Sequence, residues 1–370
     1  MPTDYKQATL AELADRGSAI SAKLAVVGFD GFIDRIIHPV LERKGLGNNY
    51  TAFPSLKAFG ERIVAASGKS TSIELFLEQE QLGGNGPLMA RALLATGMGV
   101  RFLGGLGFPH VHPIFADFAL KTQAVSFANP GITHALEFAD GKLMLGEPSA
   151  LEQITYAKLL DATGEKGLLD LFDRADLIAL VNWTQTPYMT AIFDSLQAQT
   201  LPKLSARPRQ FFFDLADPAK RPRDELLTGL HSIARFQKFG DVILGLNLSE
   251  GQQVAAVLGV PLATINPTSL QTAAQEIRQK LNICTVVIHP INGAACATTD
   301  GAWWVDGPHC EKPAITTGGG DHFNAGFMTG QLLGLPPPCC LTLAVSVSGF
   351  YVRNAHAPSL AEVAVFLQSW

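Results

Sequence analysis

Short apolar runs separated by segments of helical period set the plan of this chain. The runs are Leu24–Phe29, Val100–Gly104, Leu177–Val181, Gln210–Asp214, Val242–Leu246 and Thr285–His289. Their length and their β-branched or aromatic content predict buried strands. Most are followed, after a few turn-like residues, by apolar positions spaced for a helix, as in Pro187–Leu196, Asp224–Phe236 and Glu250–Leu258. Strand and helix in alternation predict an α/β fold with a central, mostly parallel sheet between helical layers. No internal repeat, low-complexity tract or linker interrupts residues 1–370, so a single domain is expected.

Two regions break the rhythm. Thr71–Gln81 and Thr133–Glu147 partly alternate polar with apolar residues, the second around a hairpin-type turn at Ala139-Asp140-Gly141. Half-polar strands suit a sheet with one face open to solvent. They predict either a small flap inserted into the main domain or an edge hairpin of the main sheet.

Charge narrows the partners. Lys and Arg number 28 against 33 Asp and Glu, a formal net charge of −5, and no basic block stands out. The chain therefore lacks the electrostatic footprint of a nucleic-acid binder. No apolar run approaches the ~18 residues needed to span a bilayer, and Met1–Gly17 holds no apolar signal core. The five cysteines are odd in number, late in the chain and free of any CxxC spacing. They read as small buried hydrophobes in a reducing compartment, and a cytoplasmic location is expected.

The stretch Ile315-Thr316-Thr317-Gly318-Gly319-Gly320-Asp321-His322-Phe323 carries the most chemistry. Successive glycines let several backbone N–H groups point at one spot, and the helix that follows adds its positive end. Gly326 and Gly330, one turn apart, allow that helix a close neighbour. An aspartate at this place would repel a resting phosphate. It makes sense where a hydroxyl loses its proton to it while donors hold the transferring phosphoryl group. The competing reading is an Asp that merely caps the helix.

Three further segments follow the same logic. Gly83-Gly84-Asn85 precedes a helix and lets backbone approach a small ligand, or else Asn85 simply caps that helix. Asn247-Leu248-Ser249-Glu250 joins a strand to a helix, where it could order a hydrated Mg²⁺ and a phosphate, or form a cap. Asp30 and Asp34 follow the first strand and could accept hydrogen bonds from sugar hydroxyls. His110 and His112 find no third ligand at metal spacing. Gly68-Lys69-Ser70 lacks the glycine of a phosphate-binding loop at Ile63. His322 follows Asp321 directly, and by helical geometry it points away from the site.

Taken together and in order, these segments resemble the ribokinase-like (PfkB) family of sugar and nucleoside kinases over about residues 24 to 365. TTGGGDHFNAGF is similar to that family's C-terminal signature, GGNGPLMARALLATG followed by VRFLGGLG to its N-terminal one, and NLSE to its Asn-x-x-Glu element. The resemblance implies a three-layer α/β/α sandwich with a small β lid, for which segments 32–50, 71–82 and 131–147 are the candidates. It implies ATP-dependent phosphoryl transfer to a hydroxyl of a sugar-like acceptor, with Mg²⁺. Asp321 would be the base, and the amides of Gly318, Gly319 and Gly320 the anion hole. Asn247, Glu250 and Thr317 would serve the nucleotide and phosphate end, Glu250 holding Mg²⁺ through water, and Asp34, Gly84 and Asn85 would meet the acceptor. A nucleoside kinase of the same fold, or a sensor that binds sugar or nucleotide without turnover, are the alternatives. Ile315 stands where the family often has an Asp tied to a monovalent-cation site, Leu88 where it has an Asn, and His289 where it has a small residue. A bare lid face offers a surface for a second copy, so a homodimer through the lid is the assembly to test.

Overall fold

The computed structural model describes residues 4–370. Nine strands form the main sheet: β1 (Leu24–Phe29), β5 (Gly99–Gly104), β6 (Val125–Ser126), β9 (Leu177–Leu180), β10 (Gln210–Asp214), β11 (Asp241–Asn247), β12 (Thr285–His289), β13 (Gly293–Thr298) and β14 (Gly301–Asp306). Their order is β14-β13-β12-β11-β10-β9-β1-β5-β6, parallel from β12 to β6. Side chains alternate between two large cores. On β10, Phe211 and Phe213 pack with Val242 and Leu244 on one face, and Phe212 packs with Val27 and Ile243 on the other. Apolar runs without polar breaks are what a parallel sheet covered on both faces requires.

The chain leaves β1 toward β5 and β6, then returns on the other side through β9 to β12. That reversal opens a crevice beyond the carboxyl ends of β1 and β9, the place where open α/β sheets take ligands.

A second sheet, of five strands, stands apart: β2 (Phe32–Arg43), β3 (Tyr50–Ala52), β4 (Glu74–Gly83), β7 (Gly131–Phe138) and β8 (Gly141–Glu147). Residues 133–147 form the expected hairpin, but in this sheet, so the reading as an edge hairpin of the main sheet is corrected. The long β2 takes β4 antiparallel on one side and β7 parallel on the other. The sheet has a core of its own, made of Ile37, Phe53, Phe59 and Leu136 beside the helix Leu56–Val64. Leu75, Leu77, Met144 and Leu145 remain exposed on it.

Cys296, Cys339 and Cys340 are buried as expected, whereas Cys284 and Cys310 are half-buried; all five thiols are free. Among the described residues no helix is long and apolar enough to cross a membrane. No group of three or more metal-ligating side chains occurs among them either. His112 instead accepts a hydrogen bond from the Ile114 N–H at the start of a short turn.

Candidate active site

The glycine loop ends at the helix Gly319–Leu332. Gly318 has φ +87°, and a Cβ there would come within 3.0 Å of the Tyr351 hydroxyl and 3.2 Å of Leu88. Only glycine fits, and Leu88 packs against this loop. The helix is anchored by close approach to its neighbour Pro337–Asn354. A Cβ on Gly326 would lie 2.9 Å from the Ala344 Cα, and one on Gly330 would lie 3.0 Å from Cys340.

Asp321 sits in the first turn of the Gly319–Leu332 helix and is buried. It does not cap the helix. Its Oδ1 accepts a hydrogen bond of 3.0 Å from Asn85 Nδ2, and the N-cap position belongs to Gly318. Burial, followed by the charges of Asp214 and Asp30, pushes its carboxyl well above the usual range. His322, next in sequence, is turned away from the cavity: Nδ1–H donates to the Gly318 carbonyl at 2.7 Å, and the ring stacks on Tyr351.

Asn85 begins the helix Asn85–Ala95. The capping is done from far upstream, because Asp30 accepts from the N–H groups of Gly86 at 2.7 Å and Asn85 at 2.9 Å. Asn182 Nδ2 adds a third bond to Asp30 at 2.7 Å. Burial raises the Asp30 carboxyl to about 6 in spite of those donors. Asp30 is therefore committed to the protein, and the Asn85 amide is left to face Asp321. Gly84, at φ +96°, makes the turn against the Asp30 carboxylate.

A cavity of about 770 Å³ opens over these elements, with Asn85, Asn247, Glu250, Gly318, Gly319, Gly320 and Asp321 in its wall. Asn247 and Glu250 bond reciprocally as a capping box. The second Glu250 oxygen accepts from the Asp217 N–H at 2.9 Å. Thr317 is held from behind by Tyr351, whose hydroxyl donates to its carbonyl at 3.0 Å, and it is not part of the wall. Asp34 lies outside the wall as well, buried at the root of the smaller sheet opposite Gln81 and Thr133. A Cβ on Gly83 would strike its carboxylate at 2.4 Å. His289 stacks on Phe323 at 4.4 Å, and burial lowers its pKa to about 4, so the ring is neutral.

The resemblance places an Asp-rich strand end at Phe213–Arg221, but sequence reasoning assigned no role to Asp214, Arg221 or Asn182. Asp214 ends β10 in the cavity wall. Its Oδ2 accepts from Asn324 Nδ2 at 3.0 Å, and its Oδ1 meets no hydrogen-bond partner among the described residues. The one available signal was position, since Asp214 and Asn247 both stand at the carboxyl end of a predicted strand. Arg221 holds the loop after β9. Its guanidinium donates to the carbonyls of Trp183, Thr184 and Thr186 at 3.0, 2.9 and 2.8 Å, and lies 4.5 Å from the Trp183 ring. That loop carries Asn182 and also Gln185, which lines the cavity.

A family model described as prokaryotic ketohexokinase matches residues 8–370. The chain belongs to the prokaryotic ketohexokinase family. It is a carbohydrate kinase of the ribokinase-like (PfkB) type. A ketohexokinase of Haloferax volcanii is 29% identical over 345 residues, covering 93% of this chain and 90% of that protein. A carbohydrate kinase from Agrobacterium tumefaciens aligns with a TM-score of 0.63 at 16% identity, over 94% of this chain and 97% of its own. The ribokinase of Thermotoga maritima gives 0.61 at 15%, over 94% and 99%. A nucleoside kinase of Methanocaldococcus jannaschii gives 0.60 at 12%, over the same shares. These structural likenesses establish the ribokinase-like fold.

Proposed function

We propose that this kinase transfers the γ-phosphoryl group of ATP to a hydroxyl of a ketohexose. The observation that carries the reading is Asp321, buried beside Asn85 at the glycine-rich start of a helix. The acceptor oxygen attacks the γ-phosphorus, the bond to the β–γ bridging oxygen breaks, and the hydroxyl proton passes to Asp321. A carboxyl whose proton affinity is raised by burial and by neighbouring charge is a better base than a solvated one. Asn85 holds the carboxylate in place, and the Gly318, Gly319 and Gly320 amides meet the charge on the phosphoryl oxygens. Asp34, Gly84 and Asn85 are assigned to the sugar, with the smaller sheet closing over it. Asn247 is assigned to the nucleotide end, and Thr317, outside the cavity wall, is assigned to support the glycine loop there rather than to contact the nucleotide.

The wall residues fit a divalent ion. Among the described residues, Asp214, Asp217, Glu250 and Asp321 line the cavity with no Lys or Arg beside them, and one Asp214 oxygen meets no partner. Polyphosphate cannot enter such a wall without countercharge, and Asp214 and Glu250 would hold Mg²⁺ through its water shell. When bound, Mg²⁺ neutralises charge on the phosphoryl oxygens.

The test is ADP release with ketohexoses, aldohexoses and nucleosides as acceptors, with Asp321→Asn in parallel. Ketohexose-dependent turnover that falls ~10²–10⁴-fold in the variant supports the reading. Preference for nucleosides would make it a nucleoside kinase. Ligand-induced thermal shifts without turnover would make it a sensor. We assign the exposed leucines of the smaller sheet to contact with a second copy; sedimentation as a monomer at micromolar concentration would remove that assignment.

A further inference from the structure

Three consecutive carbonyls of the glycine loop are each tied back by a different side chain. The Thr317 carbonyl accepts from the Tyr351 hydroxyl at 3.0 Å, the Gly318 carbonyl from His322 Nδ1 at 2.7 Å, and the Gly319 carbonyl from the Ser348 hydroxyl at 2.8 Å. A trans peptide is planar, so each C=O lies antiparallel to the N–H of the next residue. Holding the carbonyls of Thr317, Gly318 and Gly319 toward the protein turns the N–H groups of Gly318, Gly319 and Gly320 the other way, and all three glycines line the cavity. Among the described residues no protein acceptor meets the Gly318 or Gly320 N–H. That of Gly319 makes only a long bond of 3.3 Å to the Thr316 carbonyl.

We propose that Tyr351, His322 and Ser348 are positioning residues that aim the anion-loop amides at the transferring phosphoryl group. The inference rests on the anion-hole reading above and extends it to the side chains that grip the loop's carbonyls, Ser348 from within the cavity wall and Tyr351 and His322 from outside it. The Gly318 carbonyl also accepts the His322 N–H at 3.0 Å as the first bond of the helix, and the three side-chain donors add to that hold on glycine peptides that have no side chain of their own. Ser348 and Tyr351 are three apart on the helix Pro337–Asn354, hence on one face, which presents both hydroxyls to the loop. His322 completes the row. Its ring lies flat on Tyr351, with centroids 3.4 Å apart and planes at 12°, so the two rings fix each other's orientation. Burial lowers the His322 pKa to about 4. The ring is therefore neutral near pH 7, with its single proton on Nδ1 facing the Gly318 carbonyl and no charge added beside Asp321.

The test removes one donor at a time while keeping the packing: Tyr351→Phe, His322→Phe and Ser348→Ala. Each variant is compared with the parent for kcat, sugar KM, Tm, ADP affinity, and affinity for ADP with aluminium fluoride, which mimics the phosphoryl group in flight. Losing a whole oxyanion donor costs ~10²–10³ in rate, so a misaimed but present amide is expected to cost about 10-fold in kcat. The fluoride complex should weaken by a similar factor while sugar KM and ADP affinity stay within about twofold. Folded variants that keep parental kcat, measured where Asp321→Asn abolishes turnover, would overturn the positioning role and leave the anion hole standing. Equal losses of ADP and fluoride affinity together with Tm would also overturn it, as a merely structural role. Full turnover by Asp321→Asn would bring down the underlying reading itself.

Discussion

Replacing Arg221 with Met tests whether the loop after β9 is held for the sake of the acceptor end of the site. The substitution keeps an aliphatic stem and removes a guanidinium that serves the carbonyls of Trp183, Thr184 and Thr186 and stacks on Trp183. The side chain is only 13% exposed, so water replaces little of what is lost. At about 1 kcal/mol net per bond, plus about 0.5 for the cation–π contact, the loss comes to about 3–4 kcal/mol. Urea unfolding midpoints at unchanged slope measure that loss. The functional consequence runs through Asn182, which holds Asp30, which in turn caps the helix that carries Asn85. Sugar kcat/KM should fall about 10-fold at temperatures where the variant is fully folded. Arg221→Lys should fall between parent and Met, because an ammonium cannot span three carbonyls. A stability change under 1 kcal/mol would refute the energetic estimate. The expected destabilisation with unchanged kcat/KM would refute the link to the site.

Three other outcomes can be checked directly. The Asp214 charge raises the proton affinity of Asp321, so Asp214→Asn should move the acid limb of the kcat/KM profile to lower pH; an unmoved limb would contradict that coupling. Gly326→Ala places a methyl against the Ala344 backbone and should cost about 1–3 kcal/mol in denaturant unfolding, with wild-type stability counting against the close helix contact. With Ile315 in place of a carboxylate, turnover should be equal in potassium and in tetramethylammonium buffers, and activation beyond twofold by potassium would show a cation site formed by other groups.

The parts of the fold that could be read from the sequence are those whose burial is uniform. Phe211-Phe212-Phe213 is apolar because a central parallel strand is covered on both faces, and its bounds are recovered to the residue. The hairpin β13–β14 escaped notice because Gly293–Thr298 is built from small residues with low strand propensity, although every one of them is buried. The same contrast holds at the site. Gly318 to Asp321 form a contiguous motif and stand out. Asp30 was a poor guide, because its partners Asn85, Gly86 and Asn182 lie 55 to 152 positions away and no local pattern announces a cap supplied from that distance. Arg221 and Ser348 act on backbone carbonyls, which leave no trace in side-chain chemistry. The Asn247–Glu250 pair is locally legible, and the structure uses it as a capping box within the cavity wall.

The private core of the smaller sheet has a kinetic consequence. Ile37, Phe53, Phe59 and Leu136 bury far less apolar surface than either main cluster, so the free energy that keeps this sheet closed is a fraction of the global value. Its amides should exchange with solvent through a local opening that leaves β9 to β12 protected, and a protease should nick β4, half of whose residues are exposed, before any central strand. Asp34 stands at the root of that unit while Asp321 stands on the main body. On the proposed assignment of Asp34 to the sugar and Asp321 to the phosphoryl group, each such opening would dissolve one half of the site and spare the other, and a sugar that bridges the two carboxylates would register as slowed exchange along β2 and β4.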